Sequence, residues 1–381
     1  MPDGTRRSAG QGSVYRTKTG DRRWRGALIL VHPMTGEQTR RFVSGKTKKA
    51  TEAALDKLRA EVSSGAFPSG ETVGEFLTRW LVAVKPRLRP ATFQGYSQHV
   101  RDHWTPILGL QLTRLTPSDV EHAMAALLGR GLSPLTVLHA RSTLRRALHD
   151  AQRDGLITRN AAGLARPPRA ERKEMRALSP VEVRTLIAAT KDDEFGPIYA
   201  LAVGSGLRLG ELLGLEWSDV DLEAGLLTVR RAMARTSDGG WGLAPPKTSR
   251  SRRTVMLPTI AREALERQQA RQEAARTAAG TAWQDRDDLV FTDSIGRPLN
   301  STIPSRTFRT AADRLSLPVR FHDLRHSAAS LMLSAGTPLK VVSDALGHST
   351  IAITADVYAH VTPELRREAA DAMDRALAET D

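Results

Sequence analysis

The sequence predicts a mainly α-helical chain with small β-sheets, organised as three domains. These are a small three-stranded sheet plus a helix, a helical bundle, and a larger mixed α/β domain. Two polar, proline-containing stretches, 63–70 and 163–176, interrupt the 381-residue chain. Between them, apolar residues recur at helical spacing behind Thr-Pro and Ser-Pro start signals. Strand-like alternation is confined to the first fifty residues and to the neighbourhood of 226–257.

The first domain covers 11–66, behind about ten N-terminal residues that read as disordered. Ser13–Arg16, Trp24–Val31 and Thr39–Val43 read as short strands. Lys18-Thr19-Gly20-Asp21 and His32-Pro33-Met34-Thr35-Gly36 supply turn formers between them. Lys48–Val62 reads as a helix whose Ala53, Ala54, Leu55 and Leu58 can cover the sheet. The second domain, 71–165, reads as four helices. Thr72 to Leu77 opens the first, with Phe76, Leu77, Trp80, Leu81 and Val84 on one face, and Pro86 and Pro90 punctuate it. Thr92–Trp104 is the second; Thr116-Pro117 and Ser133-Pro134 start the third and fourth, each with a capping side chain ahead of a proline at the first helical position.

The third domain, 177–381, opens with Ser179-Pro180-Val181-Glu182, a capping box. An apolar run from Ile198 leads into Gly204-Ser205-Gly206-Leu207-Arg208-Leu209-Gly210-Glu211. Leu226–Arg231 and Arg253–Leu257 alternate as strands that can pair, joined by a long loop ending Pro245-Pro246-Lys247. Arg262–Ala278 reads as a helix, and Leu289-Val290-Phe291 as a short extended piece. Val319–Gly336, Pro338–Leu346, Ile351–Tyr358 and Pro363–Ala378 read as helices.

Composition narrows the function. The net charge is +14, which favours a polyanionic partner, nucleic acid first. The 46 Arg against 10 Lys fit GC-rich coding equally well and are not read as function. With no Cys, disulfides, Cys nucleophiles and Cys-ligated zinc are excluded. Neither a membrane-spanning run nor a secretory leader is visible, so a cytoplasmic, nucleoid-associated protein is expected. The first domain carries 14 Lys/Arg against 6 Asp/Glu over residues 1–66, and Arg22, Arg23 and Arg25 interleave with Trp24. That pattern suits a sheet that enters a DNA groove; the bland alternative is a solvated α/β cap. In the helical domain Arg141, Arg145 and Arg146 can fall on one side of a helix.

The densest chemistry lies in Phe321–His360. His322, Arg325, His348 and Tyr358 combine a cationic fork, two imidazoles and a phenol within forty residues. An arginine fork matches the non-bridging oxygens of a phosphodiester transition state and stays charged. His322 and Arg325 project to one side of a helix, and Arg208, at an apparent helix start between glycines, offers a second clamp. Of the four tyrosines, Tyr15, Tyr96 and Tyr199 sit in strand, bundle and apolar contexts, leaving Tyr358 as the candidate nucleophile. Lys247, at a loop tip, could protonate a leaving 5′ oxygen. His322, His326, His348 and His360 form a zinc set by counting alone, but no carboxylate partner stands out; a metal-free covalent mechanism without a cofactor fits better.

With these segments assembled, the chain resembles the tyrosine recombinase family, the phage integrases in particular. The family's G-L-R-x-x-E-L is similar to Gly206-Leu207-Arg208-Leu209-Gly210-Glu211-Leu212; its K-T-x-x-S-x-R hairpin resembles Lys247-Thr248-Ser249-Arg250-Ser251-Arg252-Arg253, read as keeping the Lys-Thr and an Arg but shifting the serine. Its H-x-L-R-H is met by His322-Asp323-Leu324-Arg325-His326, and its L-G-H with a tyrosine nine or ten residues on by Leu346-Gly347-His348 and Tyr358. Four segments in order over about 150 residues are specific where any one is weak. The resemblance implies arm-type DNA-binding, core-binding and catalytic domains for the three divisions. It implies that Tyr358 attacks the scissile phosphate and forms a 3′-phosphotyrosyl link. Arg208 and Arg325 would hold the phosphate, Lys247 act as general acid, His322 and His348 assist, and Glu211 orient a neighbour. Ligation would need no ATP and no metal. Double-stranded DNA at core and arm sites and a homo-tetramer follow as partners, with a host bending protein and an excision factor as further candidates. The implied outcome is integration or excision of a mobile element, including viral genome integration. The alternatives are a type IB topoisomerase-like relaxing enzyme and a non-catalytic DNA-binding regulator.

Overall fold

A computed structural model of the chain describes residues 13–16, 23–31, 38–63, 70–170, 176–246, 251–284, 287–348 and 350–358, with isolated positions at 367, 370, 371, 373, 374 and 377. The chain falls into two compact units, Met1–Arg172 and Lys173–Asp381.

The first unit begins with an antiparallel sheet of β1 (Ser13–Arg16), β2 (Trp24–Val31) and β3 (Gln38–Gly45) in that order. The register pairs Val14 with Gly26 and Gly26 with Val43, and side chains alternate between faces. One face, with Val14, Leu28 and Val43, packs on Leu55 and Leu58 of α1 (Lys48–Ser63). Glycine is required at 26, where a Cβ would lie 2.9 Å from the Val43 side chain. The helix therefore lies directly on the strands, as the apolar pattern of 48–62 predicts.

The helical part comprises α2 (Val73–Val84), α3 (Pro90–Gln98), α4 (Pro117–Gly129), α5 (Pro134–Arg153) and the one-turn α6 (Ala161–Leu164). The start signals act as their chemistry requires. Thr72 and Thr116 accept from the amides of Glu75 and Asp119, whose carboxylates return to the cap. Ser133 accepts from the amide of Thr136. Leu77, Trp104, Leu144 and Leu148 fill the core, and the Trp80 indole donates to Asp150 at 2.8 Å, tying α2 to α5. The expected helix 92–104 differs: α3 ends at Gln98, and His99–His103 widen into a π-turn beside the 2.8 Å hydrogen bond between His99 Nδ1 and Thr143 Oγ1.

The second unit starts with α7 (Pro180–Ala189), α8 (Gly196–Ser205) and α9 (Leu209–Leu213). The strands β4 (Val220–Asp221) and β5 (Leu226–Val229) follow, then β6 (Ala232–Arg235), β7 (Trp241–Ala244) and β8 (Arg253–Met256). Helices α10 (Thr259–Ala279), α11 (Thr302–Arg314), α12 (Asp323–Ser334), α13 (Leu339–Leu346) and α14 (Ile351–Tyr358) complete it. The strands at 226 and 253 pair as expected, Leu227 opposite Val255, with β4 on the other edge of β5. Apolar on every side, α8 is buried all round, packed against α10 and α12. Tyr199 on α8 makes an edge-to-face cluster with Phe308 and Phe321, which confirms packing as its use.

Three expectations change here. The long loop after β5 contains the β6–β7 hairpin, closed by Arg235 stacked 4.3 Å from the Trp241 ring. Its residues lack the β-branched character that marks strands. Support comes from α9 underneath, where a Cβ on Gly210 would lie 2.8 Å from the Met233 carbonyl. The helix expected from Val319 begins at Asp323, because that carboxylate accepts from the Arg320 amide at 2.7 Å and caps the preceding turn. The helix α11 was not anticipated. The expected helix Pro363–Ala378 lies almost wholly outside the described residues.

Candidate active site

Three chain turns build the site within the second unit. The first is the end of α8. Gly206 adopts the left-handed conformation (φ 65°), and a Cβ there would meet Leu346 at 2.3 Å, so only glycine allows α8 to end against α13. Arg208 then caps the short α9. Its amide N–H and its Nη1 both donate to Glu211, at 3.1 and 2.7 Å. The Arg208 amide is therefore taken by Glu211.

The second turn is the N-terminus of α12. His322 precedes it and is exposed, whereas Arg325, one turn on, is 6% exposed. Arg325 donates Nη1 to the Gly206 carbonyl and Nη2 to the Leu346 carbonyl, each at 2.7 Å. Burial, then repulsion from Arg208, pulls its guanidinium down to about 9, which leaves it charged at neutral pH. His322 is lowered by desolvation and then by Arg325. His326 is buried.

The third turn is the C-terminus of α13. Gly347 is left-handed (φ 66°), its N–H bonds to Asp344 O and the His348 N–H to Ser343 O. This paired closure satisfies two of the terminal carbonyls. The next three go to three arginines: Ala345 O to Arg253 Nε at 2.6 Å, Leu346 O to Arg325 at 2.7 Å, Gly347 O to Arg208 Nη2 at 3.5 Å. His348 leaves this turn half-buried, its Nδ1 2.8 Å from the buried Thr354 Oγ1 on α14. Desolvation, then Arg325, Arg208, Arg253 and His322, pushes His348 down to about 4, so the imidazole is neutral at neutral pH. A cleft of about 410 Å³ opens beside it, lined by Arg252, Lys340 and Ser343 among others.

Glu211 joins the turns electrostatically. It is 3% exposed and receives Arg208 Nη1 at 2.7 Å and Arg253 Nη2 at 3.1 Å. Burial raises its pKa, but Arg253 and then Arg208 outweigh it and hold the carboxylate below its ordinary value. Thus Arg208, Glu211, Arg325 and His348 come together with His322 beside them. Two residues that no sequence reading assigned join them: Arg253 and Thr354. Arg253 had a signal: counted from Lys247, Ser251 and Arg253 occupy the Ser and Arg of K-T-x-x-S-x-R, so the reading of a shifted serine is corrected. Thr354 had none. Lys247 lies outside the described residues. Tyr358 is the last residue of α14, four positions after Thr354, and its side chain is outside the description. Among the described residues, no cluster of three His, Cys, Asp or Glu could hold a metal ion.

The candidate DNA-contact residues sit in the first unit. Arg23 and Arg25 are exposed, and Arg25 lies on the sheet face away from α1, opposite Tyr15, with exposed Ile29 and Phe42 on that same face. Arg22 is outside the described residues. On α5, Arg145 and Arg146 are exposed. Arg141 differs from them: its Nη2 donates to the carbonyls of Gly163 and Ala165 at 3.3 and 2.8 Å, holding α6 to α5. No described helix is long and apolar enough to cross a membrane.

Comparison with known proteins places the chain. The model of the phage integrase family matches residues 176–364, and that of the phage integrase N-terminal SAM-like domain matches 72–128. The chain is 28% identical to a tyrosine recombinase XerC-like protein of Caldanaerobacter subterraneus, over 93% of this chain and 97% of that one. It is 30% identical to tyrosine recombinase XerC of Alcanivorax borkumensis, over 76% and 89%. Among solved structures, the Tn1549 transposon integrase in complex with transposon right end DNA superposes with a TM-score of 0.67 at 20% identity, covering 81% of this chain and 100% of that one. A lambda integrase tetramer bound to a Holliday junction gives 0.57 at 20% identity, covering 92% and 96%. The motif order, the assembled turns and these matches agree: the chain belongs to the tyrosine recombinase family, the phage integrases.

Proposed function

We propose that this site-specific recombinase cuts and rejoins double-stranded DNA through Tyr358, moving a mobile element into or out of a chromosome. The observation that carries the reading is the α13 turn, on which Arg208, Arg325 and His348 converge. Two guanidiniums fixed on one rigid turn form a clamp for a phosphodiester. Their charge cannot be titrated away at working pH, and it is strongest where negative charge develops on the non-bridging oxygens.

In the proposed step the Tyr358 oxygen attacks the scissile phosphorus. A bond forms between tyrosine and the 3′-phosphate, and the bond to the 5′ oxygen breaks. Lys247 gives that oxygen its proton, and the phenolic proton passes to a neutral imidazole or to water. Desolvation and then the surrounding arginines keep His348 neutral, so it acts as a hydrogen-bonding partner in the step rather than as a cation. Tyr358 ends α14 four positions after Thr354, whose hydroxyl holds His348. The reverse step, with the 5′-hydroxyl of a partner strand as nucleophile, reseals the DNA and conserves the bond energy. Arg23, Arg25 and the open face of the N-terminal sheet serve arm sites, and Arg145 and Arg146 serve the core site, in three domains, 11–66, 71–165 and 177–381. Four protomers act on one junction in the cytoplasm, at the nucleoid, and a lambda integrase tetramer has been captured on a Holliday junction. A host bending protein and an excision factor complete the proposed partners.

The test is a nicked suicide duplex drawn from DNA flanking the chain's own gene. Wild-type protein should form an SDS-resistant adduct; Tyr358→Phe should form none while keeping its DNA affinity. An adduct with the Phe variant would refute the nucleophile.

A further inference from the structure

The three carbonyls that end α13 are shared among three arginines, yet only two of these arginines have a phosphate-binding assignment. Arg253 is different. Its side chain is 7% exposed, against 39% for Arg208. One guanidinium reaches three segments: Nε to the Ala345 carbonyl at 2.6 Å, Nη2 to Glu211 at 3.1 Å, and Nη1 to the Ser251 carbonyl at 3.1 Å. It stands first in β8, six residues after Lys247.

We infer that Arg253 is a positioning residue for strand cleavage: its buried guanidinium locks the β8 strand, the Glu211 carboxylate and the α13 turn into one body. Fixing Glu211 fixes Arg208, because the same carboxylate accepts Arg208 Nη1 at 2.7 Å. Fixing Ala345 fixes the turn whose next carbonyl holds Arg325 and whose end carries His348. A planar fork is needed for this. The three donors of a lysine all radiate from one nitrogen, which cannot span the Ala345, Glu211 and Ser251 acceptors that three separate guanidinium nitrogens reach. A misplacement of about 1 Å costs about a hundredfold in rate, so the value of the lock would appear in the chemical step rather than in affinity.

The inference rests on the proposed roles of Arg208 and Tyr358, so the experiment must separate the two failures. Arg253→Lys and Arg253→Gln are assayed beside Tyr358→Phe and Arg208→Ala, on a nicked duplex carrying the cleavage site mapped with wild-type protein. Single-turnover adduct formation, DNA affinity by anisotropy and thermal melting are read for each. The expected result for Arg253→Lys is adduct formation slowed at least tenfold, with affinity within twofold and the protein still folded at the assay temperature. The charged and titratable groups around His348 are Arg325, Arg208, Arg253 and His322, with Arg252, Lys340 and Asp344 lining the cleft beside it. Removing one cation in Arg253→Gln should therefore also shift the acid limb of the rate–pH profile to higher pH. Cleavage within twofold of wild type in both variants overturns the inference. So does a loss of folding or of DNA affinity in both, since Arg253 would then be a stability or binding residue only. If Tyr358→Phe or Arg208→Ala still forms adduct at the wild-type rate, it is the reading of the site that fails.

Discussion

Replacing Glu211 by Gln should destabilise the second unit far more than the loss of one exposed charge would. The carboxylate is 3% exposed and lies between two guanidiniums, at 2.7 and 3.1 Å. Two unit charges 4 Å apart interact by ~4 kcal/mol at an effective dielectric of 20. The carboxylate's own desolvation offsets much of the attraction. Gln avoids that cost but leaves Arg208 and Arg253 uncompensated beside the buried Arg325. Breaking a buried pair from one side costs about 3 kcal/mol or more. For a unit of this size each kcal/mol shifts Tm by about 2–4 °C, so Tm should fall by roughly 6–12 °C at pH 7. The pH dependence supplies an independent check. Glu211 is held below its ordinary value of 4.5 when folded, so the unfolded chain binds the proton first. Its stabilising contribution is full above the unfolded value and is lost as pH falls through the folded one. The gap between wild type and Glu211→Gln, measured by calorimetry, should therefore narrow below about pH 4.5. A gap under 2 °C at pH 7, or one that stays constant through the acid range, would refute the charge-sandwich account.

Other consequences are testable on the same protein. Gly206→Ala forces a side chain into the left-handed region, with its Cβ 2.3 Å from Leu346, and should cost more than about 1–2 kcal/mol in a denaturant melt; a neutral result would mean that α8 and α13 can separate freely. Arg141→Ala should lose about 2 kcal/mol of stability without changing the salt slope of DNA binding, whereas Arg145→Ala should lower that slope by about one; reversed outcomes would exchange their roles. His348 is held near 4 and His322 is also lowered, so unfolding should take up protons as pH drops from 6.5. Stability therefore falls with acid through that window, and a cleavage profile whose acid limb is centred at 6.5 would contradict neutral, shielded imidazoles. Thr354→Val should slow adduct formation about tenfold or more without weakening DNA binding, by freeing the His348 ring; unchanged rates would dismiss the hydrogen bond as incidental.

Sequence alone determined what is local. Cap chemistry at Thr72, Thr116, Ser133 and Ser179 is written in residues one turn apart, so the helix starts were legible. Four motif segments in order identified the family and nominated Arg208, Glu211, Arg325 and His348, whose side chains the fold brings together. Elements sustained by neighbours rather than by their own pattern were not legible: the β6–β7 hairpin stands on close contact with α9, and α11 was missed. The same limit applied to roles. Arg141 and Arg145 share a helix and look alike in sequence, but the carbonyls of Gly163 and Ala165 lie within reach of only the first. Arg253 and Thr354 gained their places because α13 ends between them. A helix terminus leaves carbonyls that only tertiary partners can satisfy, and which arginines come to fill them is decided by how separate segments pack.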